Sequence, residues 1–161
     1  LYRMENERIA PVIDEVDVQN FLQESIAENR SAATASGVSL GCDCSDGLIG
    51  YFDEGLVRGI INNLIGNALR YTGKQIALSA TEQDGYLVIS VEDDGAGFPE
   101  PMLRAQEAEV NSNDLADGRT LLGIHFANLV ARMHKNRDKT GFIQLGNDGE
   151  LKGGRFSIYL P

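Results

Sequence analysis

The stretch from Glu54 to Arg70 constrains the fold more than any other. Leu56, Val57, Ile60, Ile61, Leu64, Ile65 and Ala68 recur at helical spacing and form one continuous apolar stripe. A helix with one such face must bury it against another layer. The next residues supply that layer: Ile76 to Thr81, a turn at Asp84-Gly85, and Leu87 to Val91 read as a strand pair. With 161 residues, 42% of them hydrophobic, the chain has material for one well-buried core and hardly for two.

The flanking segments extend the pattern. Residues 1–10 carry apolar points at Leu1, Met4 and Ile9 and stop at Pro11, which reads as the tail of a helix ended by the proline. Asp17 is placed to cap a helix running to about Ser36, with Phe21, Leu22, Ser25, Ile26, Asn29, Ala32 and Ala33 as its stripe. Gly37 ends it, and Val38-Ser39-Leu40 opens a short strand. Residues 98–120 lack clear periodicity and read as a loop or lid holding one short helix. A further helix spans about Leu122 to His134, and strands at Phe142 to Leu145 and Arg155 to Leu160 flank a turn at Asn147-Asp148-Gly149. Segregated helices and hairpin-linked strands predict an α+β protein, one sheet with helices on one face.

Charge narrows the partners. The balance of 14 basic and 24 acidic side chains gives a net charge of −10, with no basic cluster of the kind that neutralises a row of nucleic-acid phosphates. Nucleic acid is therefore not an expected partner. The lone pair Cys42 and Cys44 lacks the second pair that a structural zinc site needs, and reads as buried or half-buried strand thiols. No apolar run approaches membrane-spanning length.

Three motifs carry chemistry. In Asn63-Leu64-Ile65-Gly66-Asn67-Ala68-Leu69-Arg70-Tyr71, Asn63 and Asn67 sit about 40° apart around a helix, with Arg70 beside them. The three border the apolar stripe. Such a row is either a solvated helix face or an edge looking into a cleft; amide oxygens suit magnesium, and an arginine fork suits phosphate. Next, Val91-Glu92-Asp93-Asp94-Gly95-Ala96-Gly97-Phe98-Pro99 follows directly on a strand. It is either an acidic turn or a site where glycines permit close approach of a flat ligand and a carboxylate accepts from an exocyclic amine. Finally, Gly118-Arg119-Thr120-Leu121-Leu122-Gly123 leads into the last helix. An ordinary helix start explains it as well as a phosphate site built from helix N-terminal amides does.

Taken in this order, the motifs resemble the catalytic ATP-binding domain of two-component sensor histidine kinases, within the superfamily that also holds gyrase and MutL ATPases. Asn63 to Tyr71 looks like the family's N box, Asp93 to Gly97 like its G1 box, and Leu122-Gly123-Ile124 like the core of its G2 box. His134 falls where that last helix ends in His, and Gly153 to Pro161 resembles the closing strand. Leu1 to Asn6 and Val16-Asp17-Val18 look like the exit from dimerisation helices. Two departures stand out: Arg119, Thr120 and Leu121 replace the first part of the G2 box, and the Phe-rich F box is missing between Phe98 and Gly118.

The resemblance implies a two-layer Bergerat-type fold, a mixed and mostly antiparallel sheet under about three helices, filling residues 14–161 after a helix tail and linker at 1–13. It implies ATP and Mg²⁺ as ligands: Asn67 on the metal, Asp93 on the adenine amine, and Asn63, Arg70, Tyr71, Gly95, Gly97, Arg119, Thr120, Leu122 and Gly123 around the nucleotide. The expected activity is transfer of the γ-phosphoryl to a histidine on a dimerisation domain, so no residue here is expected to react covalently. The family's ATP-hydrolysing relatives carry a Glu one turn before the magnesium Asn, where this chain has Asn63; an amide has no useful pKa as a base, which favours transfer over hydrolysis. Expected partners are the kinase's own phosphoacceptor domain and a response regulator. The piece alone is expected to be monomeric, the full-length kinase homodimeric, and the location cytoplasmic with any anchor elsewhere. The departures on the lid motivate an alternative, a degenerate domain that binds nucleotide weakly and serves as a regulatory interaction module. An anti-sigma-factor kinase and a plain α+β binding protein are the remaining alternatives.

Overall fold

In the computed structural model, residues 10–71, 73–105 and 121–161 are described. Strand β1 (Asp14–Asp17) leads into helix α1 (Val18–Ala35), then β2 (Ser39–Cys44), β3 (Ile49–Phe52), helix α2 (Glu54–Tyr71), β4 (Gln75–Gln83) and β5 (Tyr86–Asp93). A short helix α3 (Glu100–Ala105) and helix α4 (Leu121–Met133) follow, then β6 (Lys135–Asn136), β7 (Lys139–Thr140), β8 (Phe142–Gly146) and β9 (Arg155–Leu160).

The main sheet has five strands in the order β2-β4-β5-β9-β8. Only the β2–β4 pairing is parallel; the others are antiparallel. The α+β class and the mixed, mostly antiparallel sheet are as expected. Alternation decides the faces: Ile76, Leu78, Leu87, Ile89, Val91, Phe156 and Ile158 point one way and are buried with the stripes of α1, α2 and α4. Ile60, Ile61 and Ile65 of α2 and Val130 of α4 are each no more than 3% exposed in that core. On the opposite face, the Ser90 and Ser157 hydroxyls bond each other at 2.8 Å.

Local chemistry sets the boundaries. The Asp17 carboxylate accepts from the Asn20 N–H at 3.2 Å and caps α1, and Gly37 leaves the helix at φ +71°. Asp84 and Gly85 both take positive φ, the geometry a two-residue hairpin needs between right-twisted strands. Arg58 ties the helices together. Its guanidinium meets Glu24, Glu28 and Glu54 within 3.3 Å and lies 4.8 Å over the Phe21 ring. Asn62, one residue before the predicted ligand row, donates to Glu28 and accepts from Asn29. That side of α2 is thus committed to α1, and Asn63 and Asn67 fall on the other.

Two small sheets depart from the sequence reading. β1 pairs with β3, and β6 with β7. Neither is legible locally: Asp-Glu-Val-Asp is a poor strand former, and the β6–β7 turn places Arg137, not a glycine, at φ 58°. Of the helix tail expected over residues 1–10, residues 1–9 lie outside the described residues, as does the part of the lid at 106–120. The short helix expected within the lid is present as α3. Among the described residues, no helix is long and apolar enough to cross a membrane.

Candidate functional site

The edge of α2 and the end of β5 meet at one cavity. Asn63, Leu64, Asn67 and Ala68 line it from α2, Val91 and Asp93 from β5, and Phe156 from β9. Phe98 and Met102 close it on one side, Gly123 and Ile124 on another. Its volume is about 40 Å³, room for a few waters.

Asp93 is only 5% exposed, and two amides hold it. Its Oδ1 accepts from the N–H of Gly95 at 2.9 Å and of Gly154 at 3.3 Å. Its own N–H donates to the Gly154 carbonyl at 2.9 Å, continuing the β5–β9 ladder by one residue. With Oδ1 committed, Oδ2 is the oxygen left to accept from a ligand. Glycine at 153 is required here, because a Cβ would lie 2.2 Å from the Asp93 carbonyl oxygen and 2.7 Å from Oδ1.

Across the cavity, Asn67 Nδ2 donates to Asn63 Oδ1 at 3.2 Å. The bond turns the Asn67 carbonyl oxygen away from its neighbour and presents it as an acceptor, the donor type a hard cation takes. Among the described residues no group of three His, Cys, Asp or Glu side chains converges to hold a metal. A divalent ion here would have to rely on an amide oxygen and on oxygens brought by a ligand.

The structure therefore brings Asn63, Asn67, Asp93 and Gly123 together. Gly123 stands in the first turn of α4, which begins at Leu121, one residue earlier than the sequence suggests. Leu122 belongs to the same turn; Arg119 and Thr120 lie outside the described residues. Arg70 and Tyr71 end α2 without lining the cavity. Gly95 and Gly97 do not line it either: Gly95 gives its N–H to Asp93, and Gly97, at φ +88°, faces the Asn147 side chain.

Several contributors were not read from the sequence. Asp94, beside the expected ligand Asp93, is a turn anchor: its Oδ1 accepts from the N–H groups of Gly73, Lys74 and Gln75 at 2.9–3.2 Å. It thereby ties the end of α2 to the end of β5. Asn147 looks in sequence like a turn residue alone, yet it accepts from the Phe98 N–H at 2.7 Å and donates to the Phe98 carbonyl at 3.0 Å. His134 is buried and structural. Its Nε2 accepts from the Asp53 N–H at 3.0 Å, so the ring is the neutral tautomer whose Nδ1–H donates to the Val130 carbonyl at 2.8 Å. Cys42 and Cys44 are half-buried thiols on edge strand β2. Burial foremost, then neighbouring acidic groups, pushes both thiols above their ordinary pKa.

Sheet order, helix layer and cavity define the class of protein: the two-layer sandwich of histidine-kinase catalytic domains. The catalytic domain of histidine kinase ThkA superposes with a TM-score of 0.76 at 16% identity, over 93% of this chain and 97% of that one. Full-length ShkA in complex with AMPPNP gives 0.76 at 25% identity, over 99% of this chain and 33% of that one. The sensor-like histidine kinase SenX3 of Mycolicibacterium smegmatis is 30% identical, over all of this chain and 42% of that protein. The sensor histidine kinase CpxA of Escherichia coli K12 is 31% identical over 120 residues, 69% of this chain and 24% of that protein. The chain thus spans less than half the length of these curated relatives. Residues 52–161 match the family of histidine kinase-, DNA gyrase B- and HSP90-like ATPases. The chain belongs to that family, as the catalytic ATP-binding domain of a sensor histidine kinase.

Proposed function

We propose that residues 14–161 bind ATP with Mg²⁺ and present its γ-phosphoryl to a histidine on the dimerisation domain of a longer, cytoplasmically signalling kinase that feeds a response regulator. The observation that carries this reading is the opposition of Asn67 and Asp93 across one cavity. Asp93 Oδ2 accepts from the adenine amine. The Asn67 carbonyl oxygen, oriented by Asn63, would hold the metal. Arg70 and Tyr71 at the end of α2, and the first turn of α4 at Gly123, flank the phosphates; the motif resemblance assigns Arg119 and Thr120 to the same ligand.

A metal held there would supply charge neutralisation at the phosphates for an in-line transfer. The protein orients the nucleotide, excludes water around the base and supplies no covalent intermediate. Asn63 is not a base, and no water-activating carboxylate occupies its place, which supports transfer over hydrolysis.

Titration calorimetry with Mg-ATP, repeated in excess chelator and with Asn67→Ala, tests the proposal. Expected is binding that falls roughly tenfold or more when either metal or amide is removed. Absence of heat at millimolar Mg-ATP would refute it and favour the degenerate interaction module that the altered sequence at Arg119 to Leu121 suggests.

A further inference from the structure

We infer that Asn147 is a positioning residue for the base-binding end of this site, the fixed post on which the Phe98 wall turns; the inference rests on the ATP reading and deepens it. Asn147 sits in the turn after β8, exposed, 49 residues from Phe98 in sequence. Its side-chain amide pairs with the Phe98 backbone as a neighbouring strand would, one bond accepted at 2.7 Å and one donated at 3.0 Å. Regular β5–β9 pairing has ended by this point, at Glu92 opposite Arg155. The Asn147 amide extends backbone pairing past the end of the ladder, into the loop that walls the cavity.

The surroundings are built for this contact. At Gly97 a Cβ would lie 2.7 Å from Asn147 Oδ1, so the residue before Phe98 must lack one for the amide to reach. The Phe98 ring lies against Gly154, where a Cβ would meet ring carbons at 3.0 and 3.1 Å and Asp93 Oδ2 at 3.3 Å. Phe98 is thus packed beside the oxygen assigned to the purine. Helix α3 starts two residues later at Glu100 and carries Met102, a buried residue that also lines the cavity. Only a short amide supplies both an acceptor and a donor at this reach; an aspartate offers the acceptor alone, and alanine neither.

Phe98 faces the base and not the phosphates, so its anchoring acts on the nucleoside part of the ligand. Fixing its backbone leaves only a side-chain rotation to be ordered on binding, which preorganises the wall. Without the post, the loop itself must be ordered each time.

The test compares the whole chain with Asn147→Ala and Asn147→Asp, reading Phe98 amide exchange without nucleotide and affinity for adenosine and Mg-ATP. Expected for Asn147→Ala are faster Phe98 exchange and a loss of affinity of roughly tenfold, equal for adenosine and Mg-ATP, with little change in Tm. Asn147→Asp should fall between. Unchanged exchange, or a loss seen with Mg-ATP and absent with adenosine, would overturn the inference while leaving the ATP reading intact. A wild-type chain that binds neither ligand would overturn both.

Discussion

Replacing Asp93 with asparagine separates its structural role from its ligand role. Oδ1 accepts from two backbone amides, Gly95 and Gly154, and the side chain is almost wholly buried. Asparagine has one oxygen, and those two N–H groups demand it, because the alternative sets donors against donors. The amide NH₂ is then driven to the Oδ2 position, facing the cavity. The fold survives, since both anchoring bonds keep an acceptor. The ligand suffers: a charged acceptor for the adenine amine becomes a donor opposed to a donor. A hydrogen bond to a charged group contributes about 2 kcal/mol, so Asp93→Asn should weaken ATP roughly 30-fold. Inosine triphosphate carries an oxygen where adenine carries the amine, so the same variant should lose its preference for ATP over the inosine nucleotide and move towards reversing it. Calorimetric titration of both nucleotides, with a thermal melt to establish an intact fold, reads these effects. Equal affinity of wild type and variant for ATP, at unchanged Tm, would refute the assignment of Oδ2 to the purine.

Two further outcomes follow from packing and burial. Gly153→Ala drives a methyl into the Asp93 backbone at 2.2 Å, and neither atom belongs to a flexible side chain; loss of the two Asp93–Gly154 bonds should cost about 3 kcal/mol and lower Tm by roughly 10 °C. Gly41→Ala, with nothing within 4 Å of the new methyl, is the control and should not lower Tm measurably. The Cys42 and Cys44 thiols, raised by burial, should alkylate more slowly at neutral pH in the folded chain than in urea, with the folded rate climbing as pH rises. The linkage has a matching sign: the fold favours the neutral thiols, so their contribution to stability is complete below the unfolded pKa and is lost as pH rises through the folded value. Alkylation as fast in the folded state as in urea would contradict the burial argument.

What the sequence disclosed was local. Asp17 as a cap, Gly37 as a helix end, Asp84-Gly85 as a turn and the stripe of α2 each act through neighbours within a few residues, and each appears where expected. The pairing of Asn63 with Asn67 was legible for the same reason, a spacing of one helical turn. Asp94, Asn147 and Gly153 were not legible as parts of the site. Their partners lie 19 to 60 residues away, and their chemistry is that of ordinary turn residues until the sheet brings those partners near. The β6–β7 hairpin escaped notice because Arg137 takes a backbone conformation that glycine or asparagine normally announces. Arg70 and Tyr71 show the converse: a motif placed them at the site, while their helix ends beyond the cavity lining.

The bond from the Gly154 amide to the Asp93 carboxylate joins residues 61 apart in sequence. During synthesis, the helix with its amides and the strand with its carboxylate emerge long before residue 154 does. Until then Asp93 lacks one of its two anchors and its strand lacks a neighbour on one side. If Asp93 grips the purine as proposed, a partly made chain lacks that grip, and ribosome-bound intermediates stalled before residue 154 should not bind nucleotide however much of the helix layer has already formed.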